Sequence, residues 1–464
     1  MTAFVHADET AVFPRELDRP YPLIERAEGP WLYDRDGNAY LDAVGGGAMV
    51  SSVGAAVPEL VEAARVQASR VSFLYNQQFT HAPQEALARR LVKLAGEDFA
   101  RVHFTSGGAE ANETAVRLAR SFHVERGDGR RWRIVSPAQA YHGPTAVTLG
   151  LTGRKALTGH FSPYVVPQLH IPPATRRLDP SGEEALAALD AVLDEHGPEI
   201  AAYVCEPVTA AALPAYSPPE RFWEGLAERR EEHGFLVIFD EVVTGMGRTG
   251  TWFAFQGLPL VPDVVTTAKG LGAGYAPVGA VLCREHVYRA VAAGSRVFDL
   301  GHTWDGAPLP CAVGLAVVDY LERRGLVDRV RERGPRLREE LEEALEGCSL
   351  VGEVRGRGFL LGIAYVDPRD GRSFLDPALG VARRIDMEAL ARGLIVYSTQ
   401  PTADGWAGDQ TLLAPAFTST EEELATMVER MAATAREVER GLEEEIFGRK
   451  GGMITSSSSG GIDD

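Results

Sequence analysis

Phe235-Leu236-Val237-Ile238-Phe239-Asp240 is an apolar run closed by a carboxylate. It follows the charged, helix-patterned segment 221–233, which stops at Gly234, a residue suited to the left-handed position after a helix. A helix, a glycine and then a wholly apolar strand predict a strand buried on both faces, as in a parallel sheet covered by helices. The alternation extends outward to Trp132-Arg133-Ile134-Val135, Ala201-Ala202-Tyr203-Val204-Cys205 and Val264-Val265-Thr266-Thr267-Ala268, and fills residues 101–320. The expected class is α/β. Asp240 falls at a strand's C-terminal end, where open α/β sheets place their ligands.

Upstream, Gly29 to Asp42 reads as a β-hairpin turning at Asp36-Gly37, and 57–70 and 82–96 read as helices. Downstream, a charged helix at 326–347 leads into an α+β part. Its last helix begins at Thr418-Ser419-Thr420, with Glu422 and Glu423 placed for a capping box and Leu424, Met427, Val428 and Met431 at helical spacing. The Ser456–Ser459 run and the glycines after it have nothing to bury, so disorder is expected there. The division expected is an N-terminal segment 1–64 that contributes to the small domain, a large domain 65–325, a small domain 326–442 and a tail 443–464.

Composition narrows the class of function. Of 464 residues, 45% are hydrophobic and 24% charged, the balance of a soluble globular protein. A net charge of −18 argues against nucleic acid or an anionic membrane as partner. Four cysteines without a C-x-x-C pair suggest neither a metal site nor a disulfide framework. No uncharged apolar stretch reaches membrane-spanning length, and the start lacks a secretory pattern, so a cytoplasmic location is expected.

Within this frame Lys269 stands out. The chain has only four lysines, Lys93, Lys155, Lys269 and Lys450, among 47 basic residues. Arginine serves wherever charge suffices, but a guanidinium cannot lose its proton and attack a carbonyl. Lys269 lies between the apolar run 264–268 and Gly270-Leu271-Gly272-Ala273-Gly274. That setting suits a Schiff-base nucleophile, and by itself equally a snorkelling lysine at a strand end. Four other features converge on it. Thr105-Ser106-Gly107-Gly108-Ala109 opens a helix with small residues, a cradle for phosphate or a plain glycine turn. Asp240 can pair with a protonated ring nitrogen or cap its own loop. Tyr141, in Tyr141-His142-Gly143, can stack on a flat ring or sit in the core. Thr303, in Gly301 to Gly306, carries a hydroxyl on a turn.

Gly245-Met246-Gly247-Arg248-Thr249-Gly250 fits a dinucleotide fingerprint, yet Thr251 to Gly257 is aromatic and broken, where that motif requires a helix. Instead, Asp240 to Gly250 followed by Pro262 to Gly270 resembles the signature of class III pyridoxal-phosphate aminotransferases. Glu110-Ala111-Asn112-Glu113-Thr114-Ala115 and Glu206-Pro207-Val208 match the same family. The resemblance spans roughly 15–440. It implies a fold type I pyridoxal-phosphate-dependent transferase, with a large parallel-sheet domain and a smaller α+β domain, forming homodimers with shared active sites. It also implies that Gly108 and Ala109 hold the phosphate of pyridoxal 5'-phosphate, that Tyr141 and Val242 sandwich its ring, and that Glu206 belongs to the same site. Asp240 would pair with the ring nitrogen, Lys269 would hold the cofactor, and Thr303 would reach the phosphate of the neighbouring subunit.

The reaction implied is transfer of an amino group from an ω-amino acid, β-amino acid or amine to a keto acid such as pyruvate, without a metal. A 2,1-aminomutase or racemase on the same fold is the alternative. Relatives in the ω-aminotransferase group often carry an arginine within a stretch that here reads Ala403-Asp404-Gly405-Trp406-Ala407-Gly408-Asp409. Its absence predicts an apolar substrate wall at Trp406 and Ala407, with Arg154 and Lys155 as candidate substitutes. Ala210 to Pro214 lacks the glycines usual after Glu-Pro-Val, which predicts a bulkier wall there.

Overall fold

A computed structural model describes residues 4–153, 158–175, 179–400 and 407–448. Seven strands form the central sheet: β1 (Phe99–Thr105), β2 (Arg133–Pro137), β3 (Leu169–Ile171), β4 (Ile200–Cys205), β5 (Leu236–Asp240), β6 (Val264–Thr267) and β7 (Gly279–Arg284). Their spatial order is β1-β7-β6-β5-β4-β2-β3. Alternate side chains of β5 enter two different cores. Leu236 and Ile238 pack with Ala111, Ala115 and Phe122 of the helix Gly108–Glu125. Val237 and Phe239 face the other core, where Trp223 meets Phe239 edge-on with ring centroids 5.3 Å apart. Both faces are covered, which is why the strand reads as continuously apolar.

The sheet differs from the wholly parallel one expected in a single strand. β7 runs antiparallel to both β6 and β1. A parallel crossover needs a dozen or more residues, usually with a helix. The link from Thr267 to Gly279 holds only a short 3-10 turn, so the chain must turn back. This reversal sets Gly279 opposite Thr105, the residue just before the small-residue cradle, and brings the Lys269 loop to the same edge.

The hairpin forms as expected, Trp31–Asp34 against Ala39–Asp42, with Gly37 at positive φ. The strand Leu394–Ile395 joins it in parallel, with Leu394 opposite Leu41, so the chain's beginning and its C-terminal part share one sheet. A second four-stranded sheet is antiparallel, with Leu360–Tyr365 between Val351–Arg357 and Gln410–Leu413, and Tyr397–Thr399 at the other edge. The last helix, Glu421–Gly448, opens with the capping box: Glu423 N–H donates to Thr420 Oγ1 at 3.2 Å, and Thr420 N–H to Glu423 Oε2 at 2.8 Å. It continues past residue 442, where the tail was expected to begin. The Ser/Gly run beyond lies outside the described residues. Among the described residues no helix is long and apolar enough to cross a membrane.

Candidate active site

Lys269 follows the last residues of β6 in a short turn fixed by Leu271 N–H to Ala268 O at 2.7 Å and Ala273 N–H to Lys269 O at 2.9 Å. Its φ is +33°, in the left-handed region that a residue with a side chain enters only at a cost of about 1–3 kcal/mol. The turn spends that energy to hold one side chain in one direction. Burial lowers the Lys269 pKa below the ordinary lysine range, with the carboxylates of Asp240 and Glu206 opposing. Both acids are therefore close enough to act on its charge.

Asp240, 4% exposed, ends β5 opposite Thr266 of β6. Asn112 Nδ2 donates to its Oδ2 at 2.7 Å, and His142 Nδ1 lies 2.8 Å from the same oxygen. A carboxylate can only accept, so Nδ1 carries the hydrogen. Val242 N–H donates to Oδ1 at 2.9 Å. Asn112 is oriented in turn: its Oδ1 accepts from Thr266 Oγ1 at 2.7 Å, which turns its amide nitrogen toward Asp240 and the His142 carbonyl. About four acceptor positions exist on a carboxylate and these donors take three. One position on Oδ1 remains for a cationic N–H.

The helix Gly108–Glu125 starts beside this cluster. Its first internal bond runs from Ala111 N–H to Gly107 O at 3.0 Å, so the N–H groups of Gly108 and Ala109 have no partner within the helix. A Cβ on Gly108 would lie 2.8 Å from Val242 Cγ1, and one on Gly143 2.7 Å from Ala109 Cβ. Only glycine lets the Val242 loop and the Tyr141-His142-Gly143 turn close on the helix start. Glu206 is tied to the same turn, its Oε2 accepting from Tyr141 N–H at 3.3 Å and its Oε1 from Ala210 N–H at 3.1 Å. Burial pushes its carboxyl up to about 7, with His142 opposing and Asp240 adding. Glu241 is also pushed up to about 7 by burial, but it holds the N–H groups of Ala254 and Phe255, and so fixes the loop after the strand.

The structure thus gathers Gly108, Ala109, Tyr141, Glu206, Asp240, Val242 and Lys269 around one end of the sheet. Thr303 is apart: it is exposed and makes no side-chain hydrogen bond among the described residues. Ala407 packs with Leu213 and Tyr216 and lines a cavity of about 550 Å3. Arg355 lines this cavity too, a cation the sequence did not single out. Its Nε donates to Pro214 O and its Nη1 to Glu353, each at 2.9 Å. Trp406, Arg154 and Lys155 lie outside the described residues. No group of three His, Cys, Asp or Glu suited to a metal occurs among the described residues.

A helix start bared to an anion, an amine and a carboxylate at the C-terminal edge of a mostly parallel sheet define the fold type I transferases. The chain belongs to the class III aminotransferases: the model for "Aminotransferase class-III" matches residues 12–434. It is an aminotransferase. It is 33% identical over 437 residues to the uncharacterized aminotransferase YodT of Bacillus subtilis, covering 93% of this chain and 98% of that one. Among solved structures it is similar to an (S)-enantioselective omega-transaminase from Thermomicrobium roseum, with TM-score 0.86, 32% identity and 92% and 96% of the two chains covered. The omega transaminase from Pseudomonas jessenii in complex with PMP gives TM-score 0.86 at 27% identity, with 93% and 97% covered.

Proposed function

We propose that this chain is a pyridoxal-5'-phosphate-dependent transaminase that takes the amino group of an ω-amino acid, β-amino acid or amine and passes it to a keto acid such as pyruvate. The reading rests on one observation, the acceptor position left on Asp240 Oδ1 in a site that also buries the Lys269 amine. When bound, the cofactor supplies a conjugated cationic ring that accepts the electrons released at the substrate carbon. Everything else falls to the chain. Gly108 and Ala109 present N–H groups and the positive end of a helix to the phosphate. Asp240 Oδ1 accepts the N–H of the ring and keeps it protonated. Tyr141 and Val242 hold the ring's two faces. The Lys269 amine, whose charged form burial disfavours, would hold the cofactor and, once freed, would take up and return a proton as base and then acid.

Incubation with an amine donor alone tests the reaction. A transaminase is expected to stop after converting one cofactor equivalent, with loss of visible absorbance, and to restart when pyruvate is added. Continued isomerisation of the donor without any keto acid would replace this reading with the aminomutase or racemase one.

Thr303 is proposed to serve the site of a second copy in a homodimer, which accords with its exposure in a single chain. Mixing inactive Lys269→Ala with inactive Thr303→Ala under subunit exchange is then expected to restore part of the activity. The mixed dimer has one site with both lesions and one with neither. Exchange without recovery would assign Thr303 to its own subunit. The wall at Trp406 and Ala407 is proposed to receive the donor's bulk.

A further inference from the structure

A second cavity, of about 330 Å3, opens where the helix Leu326–Leu345 crosses the turn between the strands Val351–Arg357 and Leu360–Tyr365 and the loop at Thr249. Its walls hold Arg331, Arg338 and Arg357 and the hydroxyl residues Thr249 and Thr251, and no acidic residue among those described. In a chain of net charge −18 an all-cationic lining is a departure that surface composition does not explain.

The cations are incompletely matched. Arg357 makes no direct ion pair among the described residues, although the carboxylate of Glu241 acts on its charge, and its one side-chain hydrogen bond reaches Ala254 O at 3.4 Å. Arg338 Nε is buried and lacks a hydrogen bond, although Glu342 Oε1 is 3.4 Å away. Arg331 pairs at 2.7 Å with Asp328, but both side chains are more than half exposed, so that pair is weak. Thr249 is 3% exposed and its Oγ1 has no partner among the described residues. The buried Thr249 hydroxyl without a partner carries a cost that a bound acceptor would remove, and Arg338 Nε, ion-paired but not hydrogen-bonded, could donate to the same acceptor.

The frame is rigid. A Cβ on Gly334 would meet the Gly358 backbone at 2.6 Å, and one on Gly358 would meet the Thr249 carbonyl carbon at 2.6 Å. Helix, turn and loop therefore touch backbone to backbone and fix the spacing of the side chains above them. Guanidinium forks suit phosphoryl oxygens because each can donate two parallel hydrogen bonds.

We propose that this cavity binds a small, multiply charged phosphorylated anion, at a site separate from the one at Lys269. The loop that forms one wall is the continuation of the chain from Asp240 and Val242, so an occupant would brace the segment that carries both.

Inorganic pyrophosphate is the probe, titrated calorimetrically into protein saturated with pyridoxal phosphate, which keeps the helix start at Gly108 out of competition. Buffers are matched in ionic strength with sodium chloride. One saturable site per chain is expected, at least tenfold weaker in Arg338→Gln and in Arg331→Gln, and unchanged in Arg221→Gln, an exposed arginine on another helix. Arg331 is itself exposed, so its replacement does not put folding at issue. Thr249→Val, which keeps the shape and removes the hydroxyl, is expected to weaken binding several-fold. Absence of a saturable site overturns the proposal, as does binding that both cavity arginine variants retain. Neither result bears on the transaminase reading, which the donor-only reaction tests by itself.

Discussion

Lys269→Ala is expected to lower turnover by at least a thousandfold, which corresponds to about 4 kcal/mol of transition-state stabilisation at roughly 1.4 kcal/mol per factor of ten. One residue is proposed to be both the attachment point and the proton carrier, so both roles vanish together. Burial disfavours the charged lysine while Asp240 and Glu206 favour it, so the two effects of its removal oppose each other and stability is expected to change far less than rate. The melting temperature should stay near that of the wild type while activity collapses. Borohydride treatment of the wild type should bleach its visible absorbance and leave a covalent mass on the peptide that contains Lys269. An adduct on Lys93, Lys155 or Lys450 would refute the assignment.

Asp240→Asn is the second large effect expected, a loss of at least a hundredfold in rate with the cofactor still bound. The geometry shows why no amide orientation satisfies the site. Oδ2 receives Asn112 Nδ2 and His142 Nδ1, so that position must remain an oxygen. The amide nitrogen then falls where Oδ1 was, facing the N–H of Val242, donor against donor. The clash costs about 1–3 kcal/mol of stability. The position proposed to receive a ring N–H is lost as well, which weakens the electron sink far more than the fold. Kinetics alongside thermal melting separate the two: a large fall in rate with a modest fall in melting temperature is expected. Near-wild-type turnover would make Asp240 a loop cap and nothing more.

Local chemistry was legible in the sequence where one short segment decides the outcome. Thr420 and Glu423 cap a helix within one turn, Gly234 ends another, and Asp36-Gly37 closes a hairpin, because each depends on neighbours a few residues away. Lys269 and Asp240 were legible as strand-end residues of a kind that core positions reject. The direction of β7 was missed, although the short, glycine-broken link before it leaves no room for a crossover. The roles of Asn112 and His142 were not legible in the motifs that contain them. The signal for Asn112 was present: with Ala115, Ala119 and Phe122 it keeps helical spacing, so it is a polar residue on an otherwise apolar stripe. Such a residue must find a buried partner, but nothing local says that the partner is 128 positions away. Arg355 reaches the Ala407 cavity through the pairing of Leu360–Tyr365 with Gln410–Leu413, which the sequence pattern does not disclose.

The reversed strand also dictates when the site can come into being. β1, which leads into the helix start at Gly108, stands at the sheet's margin and pairs with β7 alone. During synthesis β1 emerges first of the seven strands and β7 last, so the earliest strand waits for the latest before it can be stitched in. Until Gly279–Arg284 is available, the helix start at Gly108 and the lysine loop belong to separate pieces of a growing chain. Contacts of such long sequence separation form slowly, and they form late. On this order a half-made chain has neither the helix start at Gly108 joined to the sheet nor Lys269 in its place, and the two meet only in a sheet already complete around them.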